Sequence, residues 1–179
     1  NIQPFTPEGW NCNTNELTKD AIHNLIDEKQ ILQGVVRSCD ENYNLHVKLG
    51  EGLNGIMPRK EIEAINATEQ GFPKESLCTG KVNKFVQFRI KEVQNNGNVI
   101  ISRKDVQQDA LNWVKKDLQV GQKISGIVKN IKPYGVFIEI GGGVVGLAHI
   151  EDLSIARIKS PEERVKIGQK LDVVVKSID

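Results

Sequence analysis

Aromatic and cationic side chains crowd one stretch of this 179-residue chain, where Lys129, Lys132, Tyr134, Phe137, His149 and Arg157 follow one another. Flat rings offer π faces on which bases stack for about 1–3 kcal/mol each, without demanding a sequence. Lysine and arginine neutralise phosphates. Val136, Ile138 and Ile140 alternate on one face of their segment, which turns Phe137 to the other face. An aromatic exposed there costs solubility unless something stacks on it, and Tyr134 and His149 are placed to share that face. Each residue has a structural competitor. Tyr134 could plug one end of a barrel, His149 could be an ordinary strand-end histidine, and the cations could simply be solvated.

Other chemistry finds little support. No HExxH, GxSxG or GxxxxGK[ST] is present, so Gly141-Gly142-Gly143 reads as a hairpin turn rather than a phosphate cradle. His23, His46 and His149 belong to three different elements. Cys12, Cys39 and Cys78 form an odd set without CxxC spacing, which argues against a disulfide framework and against zinc. Cys39 lies in an apolar strand pattern and is expected to be a buried free thiol. Neither catalysis by this chain alone nor a cofactor or metal is expected.

Composition agrees with a folded binding module. Hydrophobic residues make up 39% and charged residues 26%, enough apolar surface for a core. No apolar run approaches the roughly 20 residues that cross a bilayer, and the start lacks a signal peptide's basic head and apolar core. A cytoplasmic location without membrane contact is expected, and the missing initial methionine suggests a fragment. The net charge of +1 conceals segregation: residues 1–28 carry −4, 29–104 carry +4, 105–118 carry −1 and 119–179 carry +2. Mildly basic blocks separated by acidic segments suit a polyanionic partner.

Those blocks are two copies of one unit. Gln30-Ile31-Leu32-Gln33-Gly34-Val35-Val36-Arg37 aligns with Gln122-Lys123-Ile124-Ser125-Gly126-Ile127-Val128-Lys129, and further glycines follow Gly34 at 55 and 80, and Gly126 at 146 and 168. Tyr43–Leu49 and Tyr134–Ile140 both alternate strictly, as half-buried strands do. The second copy predicts strands at 123–131, 134–140, 144–149 and 170–178. A capping box at Ser160-Pro161-Glu162-Glu163 opens a helix before the last of them. The first copy adds a fifth strand at 98–102, after the Asn95-Asn96-Gly97 turn. Helices are predicted over 14–29 and 105–118, with Trp113 of the second packing against a barrel. Five short antiparallel strands with a small helix between the third and fourth describe a Greek-key barrel. The second copy stops at Asp179, before its fifth strand.

With these landmarks in place, Gly126-x-Val128, Tyr134-Gly135-x-Phe137, Gly146-Leu147-x-His149-Ile150 and Lys166-x-Gly168-Gln169 resemble the S1 RNA-binding domain. The resemblance covers 119–179 throughout and extends to 29–104 in spacing. It implies an oligonucleotide-binding (OB) barrel with single-stranded RNA as ligand. It also implies an RNA face of two aromatics, a histidine on the third strand, and an Asp and Arg around the last turn. Tyr134, Phe137 and His149 stand at the first three positions and Asp179 at the fourth, while the Arg position lies past the end. In the first copy these places read Tyr43, His46, Pro58, Gln94 and Asn98, so a degenerate ligand face is expected there, kept basic by Lys48, Arg89 and Lys91.

The expectation is therefore a mainly β chain. It comprises an N-terminal segment with a short helix (1–28), a first S1-like OB barrel (29–104), a linker helix (105–118) and a second S1-like barrel cut before its fifth strand (119–179). The expected function is single-stranded RNA binding, with messenger RNA in translation as the partner. Two rivals remain open. One is a protein-docking module, its acidic N-terminal segment meeting the ribosomal small subunit or an RNA-processing complex. The other is the RNA-holding fragment of a larger RNA-processing enzyme.

Overall fold

The computed structural model describes residues 3–65, 68–149 and 165–178. They pack as two units, one comprising Asn11–Asp109 and the other Asn1–Trp10 with Ala110–Asp179. Among the described residues no helix is long and apolar enough to cross a membrane.

In the first unit β1 (Leu32–Cys39), β2 (Leu45–Gly50), β3 (Leu53–Met57), β4 (Phe85–Val93) and β5 (Val99–Ser102) close into a barrel of order β1-β2-β3-β5-β4. Closure comes from the parallel pairing of β3 with β5, in which Gly55 faces Val99 and Ile56 faces Ile100. Full closure leaves no unpaired edge. Alternation places Leu32, Val36, Leu45, Val47, Leu49, Val86, Phe88, Val99 and Ile101 inside. Burying such a side chain stabilises by roughly 1.5–3 kcal/mol. The helices α1 (Ile22–Asp27) and α2 (Glu75–Thr79) contribute Ile22 and Cys78 to the same core.

The helix expected over 14–29 is shorter in the structure, confined to a 3-10 turn at Lys19–Ala21 followed by α1. Tertiary pairing takes the preceding residues. The Asn15 amide donates to Gln33 O, the Leu17 amide donates to Leu49 O, and Asn15 Oδ1 accepts from Gln33 N at 2.8 Å. Cys39 is half-buried, and Cys78 is the fully buried thiol. Burial raises both thiol pKa values.

The second unit is a four-stranded sheet of order β8-β7-β6-β9, from β6 (Lys123–Lys132), β7 (Gly135–Gly141), β8 (Val144–His149) and β9 (Lys170–Val174). Its core gathers Ile124, Val128, Val136, Ile138, Ile140, Val144 and Val175 with Ala110 and Trp113 of α3 (Arg103–Lys116). The predicted helix start at Ser160-Pro161-Glu162-Glu163 lies outside the described residues. So do Arg157 and Asp179.

The two copies share their register. Val136 faces Ala148, Phe137 faces Leu147 and Ile138 faces Gly146, just as Leu45 faces Met57, His46 faces Ile56 and Val47 faces Gly55. Both first strands carry a bulge at the matching residue, Arg37 in β1 and Lys129 in β6. The repeated Gly34 and Gly126 have a steric cause. A side-chain carbon at either would collide with Val47 Cγ1 or Ile138 Cγ2 across the strand crossing.

The N-terminal residues divide between the units. Gln3 grips the second unit, accepting from Ser125 N at 2.9 Å and donating to Ser125 O at 3.1 Å. Phe5 meets Trp113 with ring centroids 6.2 Å apart.

Candidate nucleic-acid interface

On the second unit, Val136, Ile138 and Ile140 are buried and Phe137 emerges half-buried on the opposite face of β7. Tyr134, in the turn before β7, is 52% exposed and therefore lies outside the core. Its ring meets Phe137 edge-on, centroids 6.2 Å apart at 87°, an arrangement that the ring quadrupoles favour. His149 closes β8 opposite Gly135 and is exposed. A side-chain carbon at Gly135 would come within 3.1 Å of His149 Cα, so the two strands approach closely beside Tyr134. Tyr134, Phe137 and His149 thus share one small area.

Leu147, 40% exposed opposite Phe137, and Val145, 46% exposed, continue this area as an apolar strip along β8. Sequence reasoning passed over both. Their signal was the alternation of Val145, Leu147 and His149 on the face away from the core. Lys129 and Lys132 are exposed on β6, Lys129 at the bulge and Lys132 opposite Gly135.

Glu139 was also missed. It lies two residues beyond Phe137 on the same outward face, yet it is 1% exposed. Residues from the start of the chain cover it. Its Oε1 accepts from Glu8 N at 2.8 Å, and Oε2 accepts from Gly141 N at 3.1 Å and Gly143 N at 3.3 Å. The triple-glycine turn, with φ of 134°, 57° and 83°, thus presents amides to a carboxylate of its own chain. Lys129 Nζ stands 3.9 Å from Oε1. Burial, then the neighbouring Glu8 charge, pushes the Glu139 carboxyl up to about 7, against the pull of Lys129 and the amide donors. A glutamate just ahead of three glycines was the available clue, but its cover comes from residues far away in sequence.

The matching place on the first unit is built differently. Tyr43, at φ 64°, lies under the Arg59 guanidinium, 4.9 Å from the ring centroid, and Arg59 also stands 4.1 Å over Phe72. His46 Nε2 is 2.8 Å from Asp40 Oδ2. Burial raises the Asp40 pKa, but hydrogen bonds from His46 and the amides of Asn44 and Asn42 outweigh it and hold the carboxyl below its usual range. Lys48 is exposed on β2 opposite Asn54. Arg89 and Lys91 are engaged by Asp109 and Asp105. No group of acidic, histidine or cysteine side chains suited to a metal occurs among the described residues.

Comparison with known proteins extends this geometry. Residues 117–179 match the model of the S1 RNA binding domain. The chain is 34% identical over 154 residues to small ribosomal subunit protein bS1 of Staphylococcus aureus, covering 78% of this chain and 37% of that protein. It is 42% identical over 102 residues to the bS1 protein of Pseudomonas aeruginosa, covering 54% of this chain and 18% of that one. With the bS1 protein of Rhizobium meliloti it shares 30% identity over 165 residues, or 92% of this chain and 28% of the relative. The chain therefore spans well under half the length of these relatives. Aromatic face, strand register and sequence likeness converge: this is an S1-domain protein, similar to bS1.

Proposed function

We propose that the chain binds single-stranded RNA, with bases stacking on Tyr134, Phe137 and His149 and the backbone passing Lys129 and Lys132. The observation that carries this is the edge-on Tyr134–Phe137 pair, left open to solvent beside His149. A module folding soundly on its own would rarely keep two rings and the Val145–Leu147 strip uncovered without a ligand. Arg157 and Asp179 belong to the proposed set on the family resemblance alone. Tyr43, His46 and Lys48 form the first unit's share, a face where the ring and imidazole are already held by Arg59 and Asp40.

We read residues 29–104 and 119–179 as two S1-like OB repeats with a helix between them in sequence, belonging to a bS1-like ribosomal chain. Messenger RNA during translation in the cytoplasm is then the natural ligand, and the small ribosomal subunit the natural partner. The chain acts as a binding module and not as an enzyme. Docking through a free acidic N-terminal helix is the weaker reading, because Gln3, Glu8, Asn15 and Leu17 all bond to the body of the chain.

The test is a titration of a labelled single-stranded RNA of about 12–16 nucleotides over a salt series, with duplex RNA and single-stranded DNA beside it. Preference for the single strand, with affinity falling as salt rises, supports the proposal. Phe137→Ala with His149→Ala should then weaken binding without lowering the melting temperature, and unchanged affinity would reject this face.

A further inference from the structure

On the first unit, Thr14, Asn15, Glu16, Val35, Arg37 and Lys48 line a cleft on the outer face of β1 and β2. Arg37 stands at the bulge after Val36, exposed on the same outward side of β1 as Gln33 and Val35, and Lys48 follows His46 on the outward face of β2. The register sets Val35 opposite Lys48, with Arg37 two residues further along β1, so both cations line the same cleft. Among the described residues neither cation has a hydrogen-bond or ion-pair partner. That distinguishes them from Arg89, Lys91, Arg103 and Lys123, each of which meets a carboxylate. Asn15 is oriented by its own bonds: its amide donates to Gln33 O and its Oδ1 accepts from Gln33 N, which leaves Nδ2 as a donor. Thr14 adds a hydroxyl. Glu16, exposed at the same cleft, is the single carboxylate among the lining residues.

The second unit shows what an occupied version looks like. Lys129 matches Arg37 and Glu139 matches Lys48, and there the cation is answered by the chain's own buried carboxylate. Where the second unit has an internal anion, the first has a second cation and an open cleft.

We infer that Arg37 and Lys48, with Asn15 Nδ2 and the Thr14 hydroxyl, hold backbone phosphates of single-stranded RNA on the first unit. This rests on the RNA-binding reading above. The first unit then acts as a backbone clamp that adds affinity and salt dependence without base preference.

The test is an anisotropy titration of the full chain with labelled single-stranded RNA from low to moderate salt, comparing wild type with Arg37→Gln/Lys48→Gln and with Glu16→Gln. Two phosphates lost should flatten the log–log salt slope by about 1.4 and weaken low-salt binding roughly tenfold. Glu16→Gln should tighten binding, since a competing negative charge is gone. All three side chains are on the surface, so thermal melts should be unchanged. An unaltered slope in the double variant, with wild type binding RNA, overturns the clamp alone, whereas a wild type that binds no RNA overturns the functional reading as well. Inorganic phosphate titrated at constant ionic strength separates the sources. If it competes with RNA in wild type and the double variant loses both that competition and the slope, the clamp holds. If only the competition is lost and the slope stays, the cleft takes a free anion and the clamp fails.

Discussion

The outward face of β2 and that of β7 descend from one pattern and have reached opposite electrostatic solutions. On β7 the face runs from an open aromatic, Phe137, to a buried acid, Glu139. On β2 it runs from a histidine held by Asp40 to an open cation, Lys48. The strand register around them is the same. A shared strand register therefore leaves the outward face free to vary, because outward residues contribute little to the core. Stacking is available on the second unit and charge on the first.

The sharpest way to break this comparison is to remove the two equivalent outward residues in turn. Phe137→Ala should weaken single-stranded RNA binding by about 1–3 kcal/mol, roughly 5- to 150-fold. His46→Ala should change it by less than about threefold, since partly stacked and already engaged groups contribute less. Anisotropy on the two variants measures both; equal losses would erase the distinction.

Next in size is the pH response of Glu139. Its folded pKa of about 7 lies above its ordinary value of 4.5. Between those values the folded state keeps a proton that the unfolded state has released. Stability therefore falls as pH rises through that window and levels off above it, by a few kcal/mol at most, roughly. Thermal melts from pH 4.5 to 8 should show this decline in wild type and a flatter profile in Glu139→Gln. Glu8→Gln should shift the wild-type decline to lower pH, because it removes the neighbouring charge. The first unit has Lys48 at this position and should show no counterpart.

Overpacking tests the shared scaffold. Gly34→Ala and Gly126→Ala should each cost about 1–3 kcal/mol in denaturant unfolding, since the added methyl meets Val47 or Ile138. The smallest effect is expected from Asp40→Asn. Its contact with His46 is partly exposed and should be worth less than about 1 kcal/mol, with RNA affinity unaltered.

Much of this was legible in the sequence because it is local. Alternation set the inward residues of β2 and β7, and the glycine spacing announced the repeat. The turn at Asn95-Asn96-Gly97, with Gly97 at φ 88°, sits where its residue types demand. What escaped depends on residues distant along the chain. Asn15 and Leu17 were expected in a helix, but β-strand partners claim their amides. Glu139 belonged to the outward set by alternation, and only Glu8, far away in sequence, explains its burial. Tyr43 and His46 were expected to be weak ligands on identity alone. The structure adds that Arg59 and Asp40 occupy them.

The central claim, that bases stack on the second unit while the first supplies charge, is tested most directly by amide chemical-shift mapping with a single-stranded RNA. Large ring-current shifts around Tyr134–Phe137 and Leu147–His149, with smaller, salt-sensitive shifts near Arg37 and Lys48, are the predicted result. Large shifts around Tyr43–His46 with Tyr134–Phe137 unmoved would contradict the account.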